Sequence, residues 1–194
     1  MYFALSPGNI GIRTDLAGGC DIACKTGFKG ITTDPDELMR MGTGRAADLL
    51  EEKGLRNAGF GVDPRIIDKQ GGEWEDELRI LEKRAKAERA CGATRCSTWI
   101  LSSCDVPKEE RIGKFITHVR KISRVLGDEG IGFGLEFIGP LEIYTRQRYP
   151  FVRTMQEMLD VCAEVGERNC EFLHFPYLPF HFLFLMIELL SYLL

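Results

Sequence analysis

A single carboxylate stands near the end of the run Gly130-Ile-Gly-Phe-Gly-Leu-Glu136-Phe-Ile-Gly-Pro140, and its neighbours make it the first candidate for chemistry. Leu135, Phe137 and Ile138 are strand formers with nothing to solvate a charge, so Glu136 calls for a metal ion or a cation as its partner. Gly130, Gly132 and Gly134 let a ligand or another backbone come close, and Gly139-Pro140 ends the strand. The plainer alternative is a structural carboxylate paired with Arg95 or another basic residue. Trp99, near the end of the strand Arg95–Leu101, is a candidate wall for a substrate, with core or rim packing as its other reading. Asp34 and Asp105 fall in loops after strands, where helix capping competes with a role in a site. His118 lies mid-helix between Thr117 and Val119 and reads as surface or second layer rather than as a ligand.

The elements that must position these residues alternate. A short strand Tyr2–Ser6 stops at Pro7-Gly8, and a helix over 15–26 closes at Gly27. The next strand, 28–32, leads into Thr33-Asp34-Pro35-Asp36-Glu37, a capping side chain with an early proline and early acids, which starts a helix reaching Lys53-Gly54. A third strand spans 55–62. The long helix 73–91 carries Trp74, Leu78, Leu81, Ala85 and Glu88 along one stripe. Then come the strand 95–101, a helix over 108–126, the Glu136 strand, and a helix over 151–165 ending at Gly166.

Strand-then-helix units in series imply a parallel sheet with helical crossovers, either an open doubly wound sheet or a (β/α)8 barrel. The loop after the first strand, Ser6-Pro7-Gly8-Asn9-Ile10-Gly11, matches neither glycine-rich phosphate pattern. Met41-Gly42-Thr43-Gly44-Arg45 has two spaced glycines but interrupts a helix instead of following a strand. The barrel is therefore preferred. A full barrel takes about 250 residues, so the expected fold class is α/β, an incomplete (β/α)8 TIM barrel of about five βα units plus a possible sixth strand.

Composition excludes some functions. A net charge of −4 with a pI near 5.5 gives no electrostatic case for nucleic acid or an anionic membrane. Seven cysteines, with neither Cys-x-x-Cys nor zinc spacing, read as reduced structural thiols of a cytoplasmic protein. The first residues lack a basic region followed by a long apolar run, so no secretory signal is expected.

Three segments together carry a family resemblance: Arg95-Cys-Ser-Thr-Trp-Ile-Leu101, the helix bearing His118, and Gly134-Leu-Glu136-Phe-Ile-Gly-Pro140. Their order and spacing resemble the sugar phosphate isomerase/epimerase family, the xylose isomerase-like barrels, from about Ala4 to Cys170. The resemblance implies a divalent metal (manganese, magnesium, cobalt or zinc) held by Glu, Asp, His and Glu from the carboxyl ends of successive later strands. It also implies a carbohydrate substrate: a sugar, a sugar phosphate or a related hydroxy-ketone. In such chemistry a proton beside a carbonyl or hydroxyl is moved by two carboxylates on opposite faces, and the metal stabilises the enediolate. Glu136 matches the first ligand and would also be a catalytic acid/base group, with Trp99 touching substrate. The second ligand would be an Asp on the next strand, yet no Asp follows Asp160. The other two would lie beyond Leu194. With one ligand of four matched, this chain is expected to bind no metal and to lack the activity.

The segment 171–194 departs from that pattern and is set apart from a partial barrel over 1–170. Phe172–Leu194 holds one charged residue, Glu188, and is crowded with Phe and Leu. His174 and His181 resemble ligands by type only. Pro176 and Pro179 forbid one unbroken helix, and 180–194 is shorter than the roughly 20 residues of a spanning helix. A sequence switched out of the family pattern, by a retained intron, an altered reading frame or a mispredicted gene, is the preferred reading of the segment. The competing class is non-enzymatic: a truncated product, or a fragment that self-associates or contacts a membrane or a partner through 172–194.

Overall fold

The structure is a computed structural model that describes residues 2–138 and 144–173. The expectations for Gly139-Pro140 and for 174–194, with His174, His181 and the anchor reading, lie outside the described residues. Among those described, no helix is long and apolar enough to cross a membrane.

Two parallel ribbons make up the sheet. The first joins β1 (Ala4–Leu5), β2 (Gly30–Ile31) and β3 (Arg56–Asn57); the second joins β4 (Phe60–Gly61), β5 (Arg95–Ile100), β7 (Gly132–Phe137) and β9 (Cys170–Phe172). β3 and β4 are the two halves of a single barrel strand, interrupted at Ala58-Gly59. Its first half pairs with β2 and its second with β5, and Thr33 N–H donates to Gly59 O at 3.1 Å across the junction. Six parallel strands thus follow in chain order. This is the expected incomplete barrel, with the sixth strand present. The expected continuous strand over 55–62 is corrected to two short ones. Gly59 takes φ +111, which L side chains rarely adopt, and a Cβ there would sit 2.3 Å from Arg95 O.

Helices cover the outer face: α1 (Leu16–Lys25), α2 (Pro35–Met41), α3 (Thr43–Glu52), α4 (Gly71–Ala90), α5 (Lys108–Asp128) and α6 (Met155–Val165). Their ends follow local chemistry. Asp15 accepts from Gly18 N–H, Asp34 from Asp36 N–H with Pro35 at the first position, and Thr154 from Glu157 N–H. The single helix expected over 33–53 is broken into α2 and α3, because Gly42 has φ +91. The last helix starts at Met155 rather than at 151, since Phe151 and Val152 are buried beyond a short antiparallel pair that the sequence did not suggest. That pair is β6 (Ser103–Cys104) with β8 (Tyr149–Pro150).

Strand alternation decides which side chains meet which layer. On β7, Phe133 and Leu135 are buried against Phe115, Val119, Ile122 and Met158 of the helical layer. Gly132, Gly134 and Glu136 therefore face the other way, into the barrel. On β5 the same rule buries Cys96 and Ile100 and turns Arg95, Ser97 and Trp99 inward. A second apolar cluster, with Leu5, Cys20, Ile31, Leu38 and Leu50, packs α1, α2 and α3 onto the first ribbon.

Candidate functional site

β5 and β7 pair in register over six residues, which sets Trp99 directly beside Glu136 at the carboxyl ends of their strands. This is the mouth expected for a barrel site. Both residues line a cavity of about 1220 Å³, as do Ser6, Asp34, Ser97 and Glu171. The inner wall is hollow because Gly61, Gly132 and Gly134 stand at positions where barrels usually carry bulky branched side chains. A Cβ on Gly132 or Gly61 would meet only a neighbouring strand's carbonyl, at 3.7 and 3.9 Å, so small residues there leave room for a ligand.

Glu136 is half-buried, and among the described residues its carboxylate forms no ion pair and no hydrogen bond. Burial pushes its carboxyl above the ordinary glutamate range, with no cation to offset the shift. The alternative pairing with Arg95 is not formed; Arg95 sits opposite Gly132, four residues deeper along β5. Trp99 is 44% exposed, so its ring is a wall of the cavity and not core packing.

The remaining candidates separate from this centre. Asp34 caps α2, although it also lines the cavity. Asp105 accepts from Gln147 Nε2 at 3.1 Å on an exposed loop. His118 lies in the helical layer, 9% exposed, its ring stacked on Trp74 at 3.8 Å and its Nδ1 2.8 Å from Ile67 O. Nδ1–H must be the donor there, since a carbonyl only accepts. Burial lowers the pKa of His118. It is a second-layer residue, as its place in the helix suggested.

Glu171 is the cavity residue that the sequence reading passed over. It pairs with Gly134 and faces the same cavity as Ser97, one inward position deeper than Glu136. Its signal in the sequence is the alternation Cys170-Glu171-Phe172, at the head of the apolar segment 171–194. By parallel-strand spacing, the Cα atoms of Glu136 and Glu171 are roughly 8 Å apart on one wall.

The donor set does not fit a divalent metal among the described residues. No group of three or more His, Cys, Asp or Glu side chains converges on one point. A hard cation needs at least that many oxygen or nitrogen donors in ordered geometry.

No protein-family profile and no curated protein matches the chain. Solved structures do. A xylose isomerase domain protein from Alicyclobacillus acidocaldarius subsp. acidocaldarius superposes with a TM-score of 0.79 at 24% identity, over 89% of this chain and 62% of that one. A D-psicose 3-epimerase from Clostridium cellulolyticum H10, solved with D-tagatose, gives 0.72 at 13% identity over the same shares. The IolI protein, solved with a zinc atom, gives 0.67 at 14% identity, over 88% of this chain and 61% of that one. The chain spans about 62% of the length of the first two. Six parallel strands in chain order, helices outside and an inward carboxylate at the mouth give this chain the fold of the xylose isomerase-like TIM barrels.

Proposed function

We propose that the cavity binds a small polyhydroxy carbonyl compound, a sugar or a related hydroxy-ketone, between Trp99 and Glu136. The barrel would descend from sugar isomerases and epimerases. The observation that carries this reading is the register pair itself: an exposed aromatic face beside a half-buried carboxylate that has no partner among the described residues, at the open end of a glycine-lined cavity. An indole face packs on the C–H face of a sugar ring, and a carboxylate at its edge accepts hydroxyl hydrogen bonds. Glu136 is the group that would take a proton beside a carbonyl, and burial, by raising its pKa above the ordinary glutamate range, makes it a stronger base than an exposed carboxylate. The bound sugars of the neighbours, D-tagatose in one and D-allulose in another, favour the same ligand class.

The reading includes inactivity of this chain taken alone. Epimerisation removes a proton from one face of a carbon and returns it to the other, which calls for acid/base groups on both faces, whereas Glu136 and Glu171 share one wall. In the family a divalent metal would stabilise the enediolate, but the described residues offer no set of donors for it, so no step is routed through a metal. The test is turnover across ketoses and their phosphates with added manganese, magnesium, cobalt or zinc. No turnover is expected. Robust turnover that disappears in Glu136→Gln would refute the inactivity and place the missing groups in 174–194 or in a second subunit. The non-enzymatic alternative, self-association or membrane contact through 172–194, predicts light-scattering aggregates or vesicle binding with no saturable sugar binding.

A further inference from the structure

Glu88 is the wholly buried carboxylate among the described residues, at 0% exposure. It reaches from α4 to the interruption between β3 and β4. Its Oε2 lies 2.7 Å from Thr33 Oγ1 and 2.8 Å from Asn57 Nδ2, and its Oε1 meets no hydrogen-bond partner among the described residues. Thr33 Oγ1 is also 3.1 Å from Asn57 Oδ1, which accepts from Gly59 N–H at 2.8 Å.

The hydrogens in this ring can be counted. An amide oxygen and a carboxylate both only accept, so with Glu88 ionised the single Thr33 hydrogen must serve two acceptors. A proton on Glu88 Oε2 removes the conflict. Oε2–H then donates to Thr33 Oγ1, Thr33 O–H donates to Asn57 Oδ1, and Asn57 N–H donates back to Oε2. The ring closes with each donor used once, and the Gly59 N–H fixes which way the Asn57 amide points. Mutual polarisation strengthens such a ring. The unpartnered Oε1 is then a neutral carbonyl oxygen instead of half a buried charge, a far smaller desolvation cost.

Among the described residues, no cation opposes this assignment. The titratable groups bearing on Glu88 are Asp34 after β2, Cys91 at the end of α4 and Cys96 on β5. Burial pushes the Glu88 carboxyl upward, the negative charge of Asp34 adds to that, and the Thr33 and Asn57 hydrogen bonds pull the other way.

We propose that Glu88 works as a neutral carboxylic acid latching α4 to the interrupted third barrel strand, and that its ionisation releases the cavity wall at Thr33 and Gly59. Both of these residues line the cavity, and the Thr33–Gly59 backbone bond joins the two ribbons. The fold therefore carries a proton switch beneath its binding site, one that does not depend on which ligand the cavity takes.

A carboxyl titrating higher in the folded chain than in the unfolded one stabilises fully below the ordinary glutamate pKa. That stability is lost as pH rises through the folded value, by up to about tenfold in the folding constant per pH unit. The experiment is a carboxyl-carbon NMR titration of the full chain from about pH 3 to about pH 9, which spans the ordinary glutamate value of about 4.3. The Glu88 signal is assigned through its contacts to Thr33 and Asn57, so no variant is required. Alongside it, urea unfolding of wild type and Glu88→Gln is followed over the same range. Glu88 should stay protonated after the exposed glutamates have titrated, and the wild type should lose stability with rising pH relative to Glu88→Gln. A Glu88 signal that titrates with the exposed glutamates overturns the proposal, and so do parallel stability profiles for the two proteins.

Discussion

Replacing Gly59 by alanine probes the interrupted strand most sharply. Its φ of +111 lies where an L side chain is strained, and the new Cβ would stand 2.3 Å from Arg95 O and 3.1 Å from Arg95 C. Neither atom can swing away, because both belong to the backbone of β5. The conformational part costs about 1–2 kcal/mol, and overpacking against a fixed neighbour adds about 1–3 kcal/mol. The sum, about 2–5 kcal/mol, is a large share of the roughly 5–15 kcal/mol that holds a domain together. Gly130→Ala is the matched control. Gly130 has φ +69 with nothing within 4 Å of the added Cβ, so only the conformational part applies. Urea unfolding by circular dichroism compares the two variants at equal m-value. Equal losses for both would show that the close approach at Arg95 O does not exist and would undo the account of the third barrel strand.

Three further outcomes are expected. His118 should remain neutral in the fold: burial depresses its pKa, so the unfolded chain takes up a proton first as pH falls below about 6.5. Stability present above that value is lost on the acid side, and His118→Gln should flatten the loss seen in pH-dependent melting. Asn169→Ala should cost about 1–3 kcal/mol by urea unfolding, because the amide donates to both Ser123 O and Ile131 O and ties the end of α5 to the start of β7. Trp99→Ala should change stability by less than about 1 kcal/mol, since the residue is 44% exposed and outside the core, yet abolish any change in tryptophan fluorescence on adding a sugar.

Much of the fold was legible because its punctuation is local. Asp15, Asp34-Pro35 and Gly166 announce helix ends by side-chain oxygen, fixed φ and missing Cβ, and the structure uses each of them. Gly42 was visible as an interruption, but the apolar spacing from Leu38 to Leu50 continues across it, which made one helix of two. The alternation over 55–62 carries no mark of a positive φ at Gly59, so the break in the strand was hidden. The β6–β8 pair joins two-residue segments from distant loops, and such pairing leaves no periodic trace. At the cavity mouth, the positions of Glu136 and Trp99 were readable from their places at strand ends. Glu171 was masked by the apolar residues that follow it. Glu88 showed itself as a carboxylate on the apolar stripe of α4, but its ring depends on Thr33 and Asn57, distant in sequence, and only the assembled sheet brings them together.

The central claim, a sugar seated between Trp99 and Glu136, is tested most directly by titrating ketohexoses into the isotopically labelled full chain. Amide and indole shifts are followed by NMR in wild type and Glu136→Gln. Saturable shifts centred on Trp99, Gly134 and Glu136, weakened about tenfold or more when the carboxylate is replaced, are the expected result; a lost charged hydrogen bond of about 1.5–3 kcal/mol corresponds to that loss. No saturable shift with any ketose, or shifts of equal strength in both proteins, would contradict the account.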